Sequence, residues 1–229
     1  MRRGGGGPRR LRIALLAAAG VLLLLGLAQL LLPRIASSTI SSRVGRYGKV
    51  ESVSVSAWPA VELLWGSADS VRVKARRLSL SPAQAARLLW EGHRVSKLDF
   101  TAQSVRLGPL RVTDASLRKR GSALSAQAQA SEDDVRAALP PGIAVQLLGS
   151  GGGRVKVRAT GGLFGVGASV EAVALASAGK LIARPQGMLL EAFQLTLFSD
   201  KHVFVESVGA SAQQGPPAGY RLSMRASLR

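Results

Sequence analysis

Few side chains in this sequence are of the types that perform catalysis or bind metal ions. The chain has no cysteine and two histidines, His93 and His202, which is a poor ligand set for zinc. Neither histidine has a nucleophile or carboxylate at a spacing typical of acid–base catalysis. The run Gly149–Gly153 precedes an alternating segment and not a helix, which predicts a hairpin loop and not a phosphate-binding loop. We therefore predict no enzyme activity, no catalytic residue, no cofactor and no metal.

Large apolar side chains are concentrated between positions 58 and 100, where all three tryptophans occur. An indole ring has an apolar body and one N–H group, so it suits a protein core, a contact with lipid or an acyl-chain groove. A shared core and a lipid groove both explain this pattern. The candidate groove residues are Trp58, Leu63, Leu64, Trp65, Leu88, Leu89 and Phe100.

Basic side chains alternate with apolar ones in several segments, which is the period of half-buried β-strands. Such strands have one apolar and one cationic face. Solvation alone accounts for a cationic face, whereas a set of them near a membrane favours contact with anionic headgroups. The candidate headgroup residues are Arg72, Lys74, Arg76, Arg154, Lys156 and Arg158.

Two short helices are needed to complete this arrangement, and both have recognisable N-caps. Ser81 is followed by Pro82 and Gln84, which predicts a capping box and a helix that ends at Gly92. Ser131 precedes three acidic residues, which favour a helix N-terminus. The predicted fold is α+β: a curved, mostly antiparallel β-sheet with two short helices that form an apolar groove.

A long apolar run precedes the predicted domain. Ile13 to Leu32 would span about 30 Å as a helix, which matches the hydrocarbon core of a bilayer. Five arginines precede this run, so the positive-inside rule places the N-terminus in the cytoplasm. A cleaved signal peptide is the alternative, but its apolar region is usually shorter, about 7–15 residues. We predict an uncleaved single-pass anchor in the cell membrane.

The chain then divides into four parts: a basic cytoplasmic tail (1–12), the transmembrane anchor (13–32), a juxtamembrane connector (33–49) and an extracytoplasmic β-rich domain (50–229). In the connector, Ile35, Ile40 and Val44 suggest a short amphipathic helix. The net charge is +18, and subtracting the five N-terminal arginines leaves +13 beyond the anchor. Outside a membrane the available polyanions are lipid headgroups and acidic polymers, so nucleic acid is not the expected partner.

The segment Val53–Val73 contains Trp58-Pro59, the leucine pair Leu63-Leu64 and Gly66 between two strands. With Ala128–Leu139 and Gly179–Pro185, it resembles the LmeA-like phospholipid-binding family of actinobacterial cell-envelope proteins. The resemblance covers about Val50 to Gly187 and carries no catalytic residue. It implies that phospholipid binds in an apolar groove between a curved sheet and helices.

Together these observations predict a membrane-anchored, non-enzymatic protein of the bacterial cell envelope that holds or transfers phospholipid, preferably anionic. The alternative is a structural adaptor whose basic sheet binds an acidic envelope polymer or a partner protein.

Overall fold

The computed structural model describes residues 29, 31–57, 63, 67–163, 166–187, 194–213 and 218–229. Within these ranges the chain forms twelve strands and three helices. The helices are α1 (residues 31–45), α2 (Pro82–Glu91) and α3 (Glu132–Ala138). The strands are β1 (Gly48–Ser56), β2 (Ala68–Leu80), β3 (Val95–Leu107), β4 (Leu110–Arg120), β5 (Ala123–Ser131), β6 (Ile143–Gly151), β7 (Arg154–Leu163), β8 (Val166–Ser177), β9 (Lys180–Pro185), β10 (Leu195–Phe198), β11 (Val203–Gln213) and β12 (Gly219–Leu228).

The strands form two sheets. Sheet A has seven strands in the order β1-β2-β3-β4-β5-β12-β11, and sheet B has five in the order β10-β9-β8-β7-β6. Every pair is antiparallel except β2 and β3, which α2 connects as a crossover. The predicted α+β class with a mostly antiparallel arrangement is therefore confirmed, with two sheets and a third helix added.

The two predicted helices begin at the predicted caps. The Gln84 N–H donates to Ser81 Oγ at 3.2 Å, and the Ser81 N–H donates to Gln84 Oε1 at 2.7 Å, which completes the capping box. In α3 the Asp134 N–H donates to Ser131 Oγ at 3.0 Å, and three acidic residues occupy the first turn. Local sequence therefore determines both helix starts.

The third helix, α1, lies in the segment predicted to be a connector. Ala36, Ile40 and Val44 pack against the sheet, because positions four residues apart share one face of a helix. Ile35 was expected on that stripe with Ile40 and Val44, but it points away and is 60% exposed. The connector is thus a packed element of the domain.

No helix in the described residues combines the length and apolar character needed to cross a membrane. The predicted anchor from Ile13 to Leu32 lies outside the described residues apart from Gln29, Leu31 and Leu32. Residues 31 and 32 are the first of α1. The anchor therefore stays a prediction.

The core lies on one face of sheet A, here called the inner face, which carries Val71, Val73, Leu124 and Ala226. The described helices cover three clusters on it. Ala36 and Ile40 of α1 pack against the first cluster; Val44 of α1 and Val135 of α3 pack against the second; and Ala86 of α2 belongs to the third. The buried sheet residues of the first cluster are Val55, Ala68, Val71 and Val73. Those of the second cluster are Ala75, Leu78, Ala102, Val105, Val112 and Ala130. Those of the third cluster are Leu124, Val203, Ala226 and Leu228.

Sheet B meets sheet A through its hairpin turns. The Val205 N–H donates to the Gly179 carbonyl at 2.8 Å, and the Val208 N–H donates to the Gly153 carbonyl at 3.3 Å. The turn of the β6–β7 hairpin is Gly152-Gly153, and Gly153 has a φ of +75°. The hairpin predicted at Gly149–Gly153 is therefore confirmed, but its loop is shorter than predicted because Gly149–Gly151 are paired residues of β6. The outer edge of β11 therefore bonds to turns, and the strands of sheet B run away from it.

Candidate functional site

A strip of apolar residues crosses the inner face between the core clusters. The strand register aligns Phe100 of β3 with residues of β4, β5, β12 and β11: Leu117, Ala126, Met224 and Val208. These five side chains are half-buried. Phe100 packs against the first two clusters, whereas the other four belong to none of the three. The strip is a partly accessible apolar surface between the helices.

One face of sheet B is also apolar. Val157 of β7 pairs with Leu147 of β6 and Ala172 of β8, and Val155 pairs with Ala174. The alternation of β7 sends Arg154, Lys156 and Arg158 to the other face. Leu147, Val157, Ala172 and Ala174 are half-buried, and α3 approaches this sheet at its edge strand β6. This face is therefore partly open in the described part of the chain.

Phe198 connects the apolar face of sheet B to the inner face of sheet A. Phe198 pairs with Leu181 across β9 and β10 and packs against the third cluster, which contains Ala86 of α2. We call the combined surface the apolar tract; it consists of Leu117, Ala126, Met224 and Val208 in sheet A and Leu147, Val155, Val157, Ala172, Ala174 and Ala183 in sheet B.

Sheet B is long enough along its strands for an acyl chain. The ten residues of β7 extend about 33 Å at the usual rise of a strand. This length is close to the roughly 30 Å thickness of a bilayer's hydrocarbon core, in which two acyl chains meet end to end. A single extended acyl chain therefore fits along part of sheet B.

The edges of sheet B expose further large apolar residues. Leu195 and Leu197 of β10 are 63% and 48% exposed, and Ile143 and Leu148 of β6 are each 36% exposed. Contiguous exposed apolar surface in a folded domain is typical of sites that bind lipid, ligands or proteins. The exposed side chains therefore lie on both sides of the tract.

The structure describes four of the seven predicted groove residues, and they lie near more than one cluster. Leu63 and Phe100 pack against the first cluster beneath α1, and Leu89 packs against the third cluster beneath α2. Leu88 is half-buried on α2. Trp58, Leu64 and Trp65 lie outside the described residues.

Most of the tract was not predicted. In β12, Leu222, Met224 and Ala226 alternate with polar residues, which is typical of a strand. No local pattern shows that Met224 lies beside Ala126 of β5. In β5 the facing residues are alanines, whose small size gives a weak apolar signal. Pairing between distant strands therefore creates the site.

The predicted basic residues occupy two separate surfaces. Arg72, Lys74 and Arg76 belong to β2, where Arg72 and Lys74 lie on the outer face of sheet A, opposite Phe100 and Leu63. Arg76 donates to Glu51 Oε1 at 3.0 Å. These side chains do not line the apolar tract, because a strand sends alternate residues to opposite faces.

The second basic set, Arg154, Lys156 and Arg158, lies on the other face of sheet B, which also carries Val173, Leu175 and the buried Ile182. Lys156 Nζ is 2.9 Å from a carboxylate oxygen of Glu171, and Arg158 donates to the other at 2.8 Å. Hydrogen bonds from Lys156 and Arg158 lower the pKa of Glu171 below its ordinary value. This set is partly neutralised within the sheet.

The two histidines enclose Trp90. The indole ring is stacked between His93, at a centroid distance of 4.6 Å, and His202, at 3.8 Å. The parallel rings join the loop before β3 to the loop before β11, so Trp90 links segments that precede an interior strand and an edge strand of sheet A. The sequence pattern did not predict this contact. In the described residues no group of three or more His, Cys, Asp or Glu side chains is arranged to hold a metal ion.

A model of the LmeA-like phospholipid-binding family matches residues 24–220, which extend from before α1 into β12. The chain belongs to this family. The resemblance predicted from Trp58-Pro59, the leucine pair and the later strands is thereby confirmed, and the match extends beyond the predicted limits at both ends. No curated protein and no solved structure matches the chain.

Proposed function

We propose that this LmeA-like chain is a membrane-anchored, non-enzymatic protein that binds phospholipid through its apolar tract. The observation that carries the proposal is the half-buried apolar face of sheet B, which reaches the third inner-face cluster through Phe198. Each methylene removed from water contributes roughly 0.8 kcal/mol, so a sheltered acyl chain supplies most of the binding free energy.

The composition of the tract suits a flexible apolar ligand. Ala126, Ala172 and Ala174 leave space above the sheet that larger side chains would fill. Their neighbours Leu147, Val157 and Met224 supply apolar walls. A broad surface of this kind selects for acyl chains as a class more than for one chain length, because its contacts are non-directional.

The proposed anchor explains the exposed start of α1. Leu31, which belongs to the apolar run from Ile13 to Leu32, is 52% exposed. Ile35, three positions after the run, is 60% exposed. Apolar side chains at the end of a membrane helix are stabilised in the interfacial region of a bilayer. We infer that this end of the domain faces the membrane on the extracytoplasmic side and takes lipid from it.

Lipid analysis of the purified full-length chain tests the proposal. Phospholipid is extracted after purification in detergent and quantified by mass spectrometry, and uptake is then measured from vesicles of phosphatidylglycerol and phosphatidylcholine. Ala172→Trp places a large ring in the centre of the tract, whereas Ser169→Trp places the same ring on the opposite face of β8. A ring that displaces about two methylenes of an acyl chain from the tract lowers the affinity for lipid by roughly tenfold.

We expect this loss for Ala172→Trp alone, in a protein whose circular dichroism is unchanged. Absence of bound phospholipid in the unsubstituted chain, or equal losses in both variants, would refute the tract as the lipid site.

A further inference from the structure

The outer face of sheet A carries a concentration of cations that the lipid tract does not use. Alternation with the buried inner-face residues directs these side chains outward on β2, β3, β4 and β12, and all are exposed. They are Arg72, Lys74, Lys97, Arg106, Arg111, Arg118, Arg120, Arg221 and Arg225. Two ion pairs in the described part of this region join Asp99 to Arg120 at 2.8 Å and Glu51 to Arg76 at 3.0 Å.

Two pairs of these cations are directly opposed across neighbouring strands. Lys97 of β3 faces Arg120 of β4, and Arg106 faces Arg111 in the same pair of strands. Like charges at directly opposed positions destabilise a sheet. A polyanion bound to the outer face would reduce this repulsion. Lipid bound to the apolar tract on the inner face would not.

The cations alternate with hydrogen-bonding groups in a regular pattern. One row across the sheet consists of Arg72, Asp99, Arg118, Ser125 and Arg225. Its three arginines lie on every second strand and are therefore about 10 Å apart. The adjacent row consists of Lys74, Thr101, Ser116, Gln127 and Ser223. A ligand on this face meets basic side chains at intervals, with hydroxyl and amide groups and the ion-paired carboxylate of Asp99 between them.

The shape of the sheet favours a linear ligand over a flat one. Neighbouring strands rotate by about 20–25°, so the four steps from β2 to β12 accumulate a twist of roughly 80–100°. A planar bilayer surface contacts only part of such a face. A flexible linear polymer can follow the twist and contact all three arginines of the row.

We propose that the outer face of sheet A binds a linear acidic polysaccharide, whose carboxylates pair with the arginines and whose hydroxyls bond to the Ser, Thr and Gln side chains. This site is separate from the lipid tract, since the two lie on opposite faces of sheet A. The protein would then hold lipid on one face and an anionic polymer on the other.

The test uses the full-length chain in nanodiscs of phosphatidylcholine and measures binding of polygalacturonate at physiological salt, with uncharged dextran as the comparison. The variant R72S/R118S/R225S removes the arginine row. R87S/K180S/K201S removes three exposed cations elsewhere and gives the same net charge. Loss of three cations facing a polyanion raises Kd by about tenfold or more, and the dependence of Kd on salt becomes shallower.

We expect the large rise in Kd for the row variant and a rise of less than about threefold for the control. The milder variant K74Q/R118Q is the second test and should give a smaller rise in the same direction. Equal effects in the row and control variants, equal binding of dextran, or no binding of polygalacturonate would overturn the proposal. It is also overturned if phosphatidylglycerol vesicles bind through this row and polygalacturonate does not compete. Bound phospholipid is measured in parallel and should be unchanged by the row variant, which distinguishes failure of this site from failure of the lipid tract.

Discussion

Lys119 Nζ donates to the main-chain carbonyl of His93 at 3.0 Å, from a side chain that is 1% exposed on the inner face of sheet A. It also donates to the Val95 carbonyl. Across the strands, Lys119 lies between Leu98 of β3 and Leu124 of β5. Leu98 packs against the first cluster, and Leu124 belongs to the third. The amine therefore joins two apolar clusters and fixes the loop whose His93 stacks on Trp90.

Replacing Lys119 with alanine should destabilise the domain by about 2–4 kcal/mol, because the change leaves a cavity and removes the donor to two carbonyls. Lys97→Ala, on the neighbouring strand, removes an exposed lysine and should cost less than about 0.5 kcal/mol. Urea denaturation of both variants measures the difference. Equal costs would contradict the structural role of Lys119.

The same residue predicts a dependence of stability on pH. Burial lowers the pKa of Lys119 below its ordinary value of 10.5, so the unfolded chain binds the proton more tightly than the folded one. Below the pKa of the folded state, burial of the charged amine lowers the stability of the domain by its largest amount. This loss of stability decreases as pH rises through that pKa toward 10.5. Relative to Lys119→Met, which does not titrate, the unsubstituted protein should gain stability between pH 7 and pH 10. A constant difference over this range would contradict the prediction.

Gly179→Ala should weaken the attachment of sheet B to β11. Gly179 has a φ of +77°, and a Cβ there would lie 2.2 Å from the Phe204 ring. Gly121→Ala is the matched control, since its φ is +59° and its Cβ position is open. Both substitutions pay about 1 kcal/mol for the left-handed backbone. Gly179→Ala should cost roughly 1–3 kcal/mol more because of the overpacking.

Adding Phe204→Ala to Gly179→Ala should recover part of that extra loss, because the truncated ring leaves room for the methyl group. Thermal denaturation of the single and double variants gives the coupling. If the two changes are additive, the ring does not cause the loss.

Arg106→Gln should raise thermal stability at low salt, because it removes the repulsion from the directly opposed Arg111. The expected gain is about 0.2–1 kcal/mol and should shrink as salt screens the charges. Arg87→Gln, on the exposed side of α2, is the control for loss of one charge and should change stability little. A loss of stability in Arg106→Gln would show that Arg106 has a favourable partner.

Local patterns predicted the elements better than their arrangement. The caps at Ser81 and Ser131 were sufficient to define α2 and α3, because capping depends on residues within one turn. By contrast, β12 inserts between β5 and β11, so Arg221 lies opposite Gln129. No local period specifies that pairing, and the division into two sheets depends on it.

The sequence around Lys119 contains a signal for the burial of this residue. In the run Arg118-Lys119-Arg120, strand alternation requires the middle residue to face opposite its neighbours. With Leu117 two positions away on the inner face, the pattern predicts burial of Lys119. Its carbonyl partners, however, come from a loop that only the fold brings near.

The attachment of β11 to turns also affects how the protein behaves at high concentration. An open strand edge is a template for pairing with another molecule, and it is a common origin of aggregation. Here the N–H groups of Val205 and Val208 are bonded to glycine carbonyls, and that of Ala210 to the Ser150 hydroxyl at 3.1 Å. Sheet B thus shields this edge of sheet A from strand addition, so the tight turns at Gly153 and Gly179 protect the folded domain from aggregation through β11.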